Sequence, residues 1–401
     1  MSMLARPARV KARQMDRIGE AEHQSEPSSF RFYDNREKYL LFVTTCSEKS
    51  AIAERIGAEL ADIQPRRPAL RLFDAGMGDG SVLSQVMQDM HKRFRHVPCV
   101  VVGKEISMED VRLSLAKLPD RFFEHPETVV VITNMNYTAA PRLVPNPAEA
   151  AGLIWHEVAL EGDTSHDFQR QIRALHAILT DGWQVRISEK TGNPLAKRAA
   201  VLVLYRRDRE FVLGPLVPQR GEAARSYDIV IASQPYRARL PATIKVRNVI
   251  APLARALAPR GKLVVIQSFG EDPGMEIINR IWPDEQPFRT RRHELLEIAA
   301  AQLDTPADRD LVFVPYDDAQ SLFRYHLHTL PTEIERSIGL STTLAAWNAA
   351  VYVAQIPEDK VIAAYDSGRY REVTQEILRR HGGLWFQDET FVIARRAVQG
   401  D

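Results

Sequence analysis

The chain has 401 residues, 45% of them apolar and 26% charged, with a formal net charge of +1. That balance belongs to a soluble globular protein with one large core and room for a subdomain, and it excludes a global field pulling the chain to nucleic acid or an anionic membrane. Two cysteines, Cys46 and Cys99, offer neither a disulfide framework nor a metal quartet and suit a reducing cytoplasmic setting; no apolar run approaches the ~18 residues of a membrane span.

Residues 1–28 are basic and lack an apolar signal core. Asp16, Glu20 and Glu22 argue against a transit peptide, and the segment reads as a mobile tail. Residues 29–68 read as a helical cover segment. Phe30, Phe32 and Tyr33 precede an Asp34-Asn35 turn; Leu40, Leu41, Ile52, Ile56 and Leu60 then offer a buried face. The aromatics either staple this segment to the core or border a pocket.

Residues 69–134 carry the most informative stretch. Leu72 and Phe73 finish a buried strand, Asp74 ends it, and Gly76, Gly78 and Gly80 follow at alternate positions. From Ser81 the pattern turns helical, with Val82, Leu83, Val86, Met87 and Met90 three or four apart. Glycines in such a turn serve a positive φ or a close ligand, and the helix N-terminus behind them suits an anionic or carboxylate-bearing group. A tight turn without a ligand is the plainer alternative. A second strand, Val97 to Glu105, ends in an acid 25 residues past Gly80, near the ~20-residue offset of a ribose-binding carboxylate in nucleotide-binding units. A helix from Met108 to about Leu118 and a third strand, Thr128 to Thr133, complete a parallel pattern. Asn134 follows, either as a ligand contact or as an ordinary turn residue.

Residues 135–226 read as an insertion: a proline-rich connection, a strand, a polar turn at Glu161-Gly162-Asp163, and a helix capped by Asp163 or Ser165. His156 and His166 lack metal-ligand spacing, so no metal is expected. Val185 and Ile187 alternate with polar residues, Lys190 to Pro194 is a turn, and Ala200 to Tyr205 is a strand. This reads as a β-hairpin or small antiparallel subdomain, of the kind that closes over substrate or makes a homodimer contact.

Residues 227–268 return to the core through a strand at Ile229-Val230-Ile231. It leaves through Ser233-Gln234-Pro235-Tyr236, then Arg237 and Arg239. Another helix end, a Pro-Arg-Gly turn and an apolar strand to Ile266 follow. Residues 269–401 form a C-terminal extension of helices and short strands. In Leu322 to Leu330, His326 and His328 share a face opposite Tyr325, as general-base candidates or as an ordinary half-buried strand. Leu384 to Arg396 reads as a terminal β-hairpin turning at Gln387-Asp388-Glu389.

The glycine stretch, Glu105, Tyr227 to Tyr236 and Leu257 to Ile266, in this order and spacing, resemble the motifs of the class I S-adenosylmethionine-dependent methyltransferases. The resemblance covers about Ala69 to Phe269 in pieces. It implies an α/β, Rossmann-like fold, a mostly parallel sheet with helices on both faces, and S-adenosyl-L-methionine as cofactor. It implies that Gly76, Gly78 and Gly80 border the methionyl part, Asp74 orients the loop or its amino group, Glu105 takes the ribose hydroxyls, and Asn134 or Asp163 faces adenine. Ser233 and Tyr236 would face a small-molecule substrate with a nitrogen or oxygen acceptor; Gln234 stands where nitrogen-directed members carry a proline. Rival readings are an aminopropyltransferase, which would need acids after the fourth strand, a nicotinamide-linked dehydrogenase, whose glycine spacing differs, and a non-catalytic scaffold on the same fold.

Overall fold

The computed structural model describes residues 36–189, 194–222, 226–330, 332–335 and 337–397. The expected tail, the aromatics Phe30, Phe32 and Tyr33, the Asp34-Asn35 turn and Lys190 to Asn193 lie outside the described residues. The centre is a parallel sheet. Strands β1 (Leu70–Asp74), β2 (Cys99–Lys104) and β3 (Thr128–Thr133) pair in parallel, Leu70 against Cys99 and Cys99 against Thr128. Every residue of β1 and β3 is buried, because side chains alternate into two cores. Phe73, Val100, Val102, Val129 and Val131 pack on one face; Leu70, Leu72, Val101, Val130 and Ile132 pack on the other.

Two helices precede the sheet, α1 (Arg36–Thr45) and α2 (Glu48–Leu60). Phe42 is buried on α1, whereas Leu41, expected inside, is exposed. Helix α3 (Ser81–Arg93) joins β1 to β2 and buries the five apolar residues whose spacing predicts it. The helix expected over Met108 to Leu118 is two: α4 (Met108–Leu115) and α5 (Leu118–Glu124), broken where Pro119 starts a new first turn.

The insertion differs from expectation. It contains β4 (Ile154–Leu160), α6 (Ser165–Arg173), α7 (His176–Gly182), β5 (Val185–Ile187), β6 (Pro194–Ala196) and β7 (Ala200–Arg206). Only β5 and β6 form a hairpin. Strand β7 joins the main sheet antiparallel to β3, and β4 runs parallel to β7 outside it. The reason is burial: all seven residues of β7 are buried, which a two-stranded ribbon cannot achieve. Thr164, rather than Asp163 or Ser165, caps α6 by accepting from Asp167 N.

On the other side of β1, β8 (Tyr227–Ser233) and β9 (Leu257–Ser268) continue the parallel sheet. The Pro-Arg-Gly turn is an irregularity within β9, with Arg260 at φ +65 and a register shift opposite Tyr227 and Ile229. The extension supplies α8 (Pro273–Ile281), α9 (Arg292–Gln302), β10 (Leu311–Phe313), β11 (Leu322–His326), α10 (Leu340–Val353), α11 (Glu358–Ser367), α12 (Arg369–His381) and β12 (Trp385–Arg395). The terminal hairpin is instead one eleven-residue strand. β12 lies antiparallel to β9 on one side and to β10 and β11 on the other. The stretch read as its turn, Gln387-Asp388-Glu389, has no glycine, proline or asparagine to reverse the chain, and both acids are buried mid-sheet. The spatial order is β10-β12-β9-β8-β1-β2-β3-β7-β4, with β11 also on β12. This is an α/β, Rossmann-like sheet extended at one edge by the insertion. No described helix is long and apolar enough to cross a membrane.

Gly80 sets the approach of α3 to its neighbour. Its φ is +76, and an added Cβ would lie 2.8 Å from Ser114 Cα on α4. Gly80→Ala is expected to cost about 2–4 kcal/mol in urea unfolding, combining left-handed strain with overpacking. Gly76→Ala, where an added Cβ meets no atom within 4 Å, should change stability by less than about 0.5 kcal/mol.

Candidate functional site

The glycine loop sits where β1 ends, between β8 and β2. Asp74 is buried there, and its Oδ1 accepts from Gly76 N at 3.1 Å. Burial, with the nearby Glu105 charge adding, pushes its carboxyl up from 3.8 to about 7, against the pull of the Gly76 N–H. Gly78 takes φ +51, and its N–H donates to Glu105 Oε2 at 3.1 Å. Glu105 Oε1 accepts from Ile106 N at 2.7 Å and Ser107 N at 2.9 Å. One carboxylate thus ties the glycine loop to the end of β2 through three amides. Oε2 accepts one of them and keeps lone-pair capacity for a hydroxyl.

The start of α3 is less open to an anion than the sequence implies. Asp79 Oδ1 accepts from Ser81 N at 3.3 Å, its Oδ2 accepts from Ser81 Oγ, and Lys117 Nζ donates to it at 3.3 Å. A resident carboxylate therefore already faces the helix N-terminus.

Helices α1 and α2 roof the loop. Tyr39 hydroxyl accepts from Asp79 N at 3.3 Å, donates to Asp79 Oδ1 at 3.2 Å, and lies 3.0 Å from where a Cβ on Gly78 would stand. Helix α10 holds α1 in place: Asn348 Nδ2 donates to Lys38 O at 3.0 Å, and Phe42 and Tyr352 rings lie 5.1 Å apart. At the start of α2, buried Glu48 pairs with Lys49 at 2.9 Å. Burial alone would lower Lys49; the Glu48 carboxylate more than offsets this and holds it above its ordinary value.

The end of β8 completes the floor. Ser233 and Gln234 are half-buried, and Gln234 takes φ +46, uncommon for a residue with a side chain. Its Nε2 donates to Ser268 Oγ at 3.1 Å and to Asp388 Oδ2 at 3.4 Å. Tyr137 hydroxyl donates to Pro235 O at 2.6 Å, and Lys104 lies over the Tyr137 ring at 4.8 Å.

The structure brings Asp74, Gly76, Gly78, Gly80, Glu105 and Ser233 to one end of the sheet. Other expected site residues lie elsewhere or have other work. Asn134 Nδ2 donates to Gly182 O and Arg198 O, each at 3.0 Å, and its Oδ1 accepts from Ala200 N at 2.8 Å; its amide ties β3 to the insertion. Asp163 is exposed beyond the end of β4. Because β7 reverses direction against β3 and β4 follows β7, that end lies at the opposite edge of the sheet from the glycine loop. Tyr236 is buried, donates to Gln267 Oε1 at 2.9 Å and lies under Lys245, so its ring packs into the core rather than against a substrate. His326 is exposed at the end of β11, where its backbone N–H donates to Ser47 Oγ at 2.9 Å; Tyr325 is buried, as half-buried strand alternation requires. Arg239 donates to Ala354 O and Gln355 O, both at 2.9 Å, which makes it a brace. Among the described residues no group of three or more His, Cys, Asp or Glu is arranged for a metal ion.

Tyr39, Glu48, Lys49 and Asp388 were not singled out by the sequence reading. Only Asp388 carried a usable signal, as an acid inside an otherwise apolar strand pattern.

No family model and no curated protein matches the sequence. Solved structures do align. One described as a sarcosine dimethylglycine methyltransferase from Galdieria sulphuraria gives a TM-score of 0.31 and 11% identity over 86% of this chain and 85% of that one. A geranyl diphosphate methyltransferase solved with GPP and sinefungin gives 0.30 and 14%, over 88% and 78%. The cyclase SpnF gives 0.31 and 12%, over 86% and 81%. Scores this low carry no argument for activity; the Rossmann-like fold stands on the strand order itself.

Two outcomes test the loop. Glu105→Gln presents an NH2 to one of the amide donors, so it should cost about 1–3 kcal/mol in urea unfolding and lower hydrogen-exchange protection at Gly78. Asp74 binds a proton up to about pH 7 when folded but only to about 3.8 when unfolded. Stability should therefore fall as pH rises between these values and level off above 7, by at most about 4 kcal/mol at 1.36 kcal/mol per unit. Unfolding at pH 5 and pH 8 should show this slope reduced in Asp74→Asn.

Proposed function

We propose that the chain is an S-adenosyl-L-methionine-dependent methyltransferase acting on a small molecule in the cytoplasm. The observation that carries the reading is the Glu105–glycine-loop unit with its open side at Gly76. That glycine is half-buried, has an ordinary φ, and leaves space in which a Cβ would meet nothing. The residues fit the group. Gly76 and Gly78 would border its methionyl chain, Asp74 its ammonium, and Glu105 Oε2 a ribose hydroxyl. When bound, the cofactor supplies a methyl group already activated on a sulfonium. The chain's own part is to hold the acceptor in line and exclude water. Ser233 and Gln234 at the end of β8 would line the acceptor side, and Tyr39 would close the roof.

One observation favours a second reading. Aminopropyltransferases hold a polyamine with acids after the fourth strand, and none follows β8 in sequence. In space Asp388 reaches that place from β12, against Gln234.

Isothermal titration separates these readings. S-adenosylmethionine and S-adenosylhomocysteine should bind saturably, and Gly76→Val, which fills the open side without touching the Glu105 hydrogen bonds, should weaken both at least tenfold while the Tm stays unchanged. Preferential binding of decarboxylated S-adenosylmethionine would favour aminopropyl transfer. Binding of neither adenosyl ligand to the folded protein would sink both readings, and binding with no turnover on any substrate pool would favour the scaffold.

A further inference from the structure

Asp388 is an unusual residue for its place. It stands on β12 opposite Ser268 of β9, in the interior of the sheet, and is 0% exposed. Its Oδ2 has one neutral donor, Gln234 Nε2, at a long 3.4 Å; its Oδ1 is buried with no hydrogen-bond partner. A buried carboxylate so poorly satisfied costs free energy that an apolar residue would avoid.

Its surroundings add to that cost. Glu48 and Asp272 both face it, and Lys49 is the one cation within electrostatic reach. Lys49 is already paired with Glu48. Both oxygens of Asp272 are occupied, Oδ1 by Met275 N at 2.8 Å and Oδ2 by Gln387 N at 3.1 Å. Burial first, then the charges of Glu48 and Asp272, push the Asp388 carboxyl well above its ordinary range. The chamber thus carries more buried acid than cation, and the unmet acceptor belongs to Asp388.

The neighbours of that oxygen are also acceptors. Gln234 uses its Nε2 on Ser268 and Asp388, which leaves Oε1 as its other polar atom; Ser268 Oγ lies 3.1 Å from that Nε2. Gln234 is held in the left-handed region as it reaches across β9 to β12, a strain of the kind stored at binding sites. A ligand with several N–H donors and a positive charge would satisfy this set.

We infer that the acceptor is an amine, received as an ammonium by Asp388, with Glu48 supporting and Gln234 and Ser268 as flanking acceptors. This rests on the adenosyl-cofactor reading above and holds for either transfer reaction. Asp388 is a binding residue for the acceptor and takes no part in holding the cofactor.

Sinefungin tests this without knowledge of the substrate, because it carries an amine where the sulfonium carries its methyl group. S-adenosylhomocysteine has nothing at that position and serves as the internal reference. By isothermal titration at neutral pH, sinefungin should bind wild type at least tenfold more tightly than S-adenosylhomocysteine. In Asp388→Asn the preference should collapse to less than threefold with S-adenosylhomocysteine affinity retained, and Glu48→Gln should reduce it partway. No preference in wild type, or an undiminished one in Asp388→Asn, overturns the inference and leaves Asp388 a structural acid. Should Asp388→Asn fail to fold, the Glu48→Gln ratio decides in the same way. Failure of S-adenosylhomocysteine itself to bind wild type would sink the cofactor reading, a separate result.

Discussion

The carboxylate of Glu105 is the contact on which the site depends. It is the first residue after β2, and three backbone N–H groups converge on it, two from its own turn and one from Gly78. Without it two adjacent strand ends would carry independent loops. With it, the end of β1, the glycine turn and the start of α4 form one rigid corner. Charge-assisted bonds to backbone amides are well suited to this, since they fix position without a flexible donor side chain.

Everything C-terminal to β9 can be understood as support for the other half of the chamber. Strand β12 brings Asp388 beside the end of β9, and the helices that precede it pack against α1. Trp347 is buried among the rings of Trp282, Tyr365 and Tyr370, and Phe42 enters the same core from the N-terminal side. The backbone of α2 is clipped to β11 as well, with Ser47 N donating to His326 O at 2.9 Å. His326 thus contributes to the site's construction through its main chain rather than its imidazole.

How much of this was legible in the sequence follows a physical divide. Continuous β-branched runs, spaced glycines and the three-and-four spacing of α3 are local properties, and they placed β1, β2, β3, β8 and the Glu105 corner. Strand direction is not local. Nothing within Ala200 to Arg206 says that it runs antiparallel to β3, yet that reversal carries Asp163 to the far edge of the sheet. Asn134 shows a related limit: its amide is satisfied by carbonyls and an amide 48 to 66 residues away, partners that only the fold assembles. Asp388 and Glu389 read as a turn because polar pairs usually sit at the surface. They are interior because the chain uses their charge, Glu389 accepting from Gln267 Nε2 at 2.7 Å and from Arg292 N at 3.0 Å on one face, and Asp388 facing the chamber on the other.

The contact of Gly80 with Ser114 bears on how compliance is distributed around the chamber. Beneath the glycine loop, α3 and α4 touch backbone to backbone, leaving no side chain that could rotate to make room. Above it, Tyr39 is attached by one phenol and by α1, a helix of ten residues. The floor behaves as an anvil and the roof as the yielding part. Ligands of different bulk would be accommodated by displacement of α1, while the loop geometry stays constant, so acceptor range can drift through substitutions in the roof and its C-terminal buttress without disturbing the corner below.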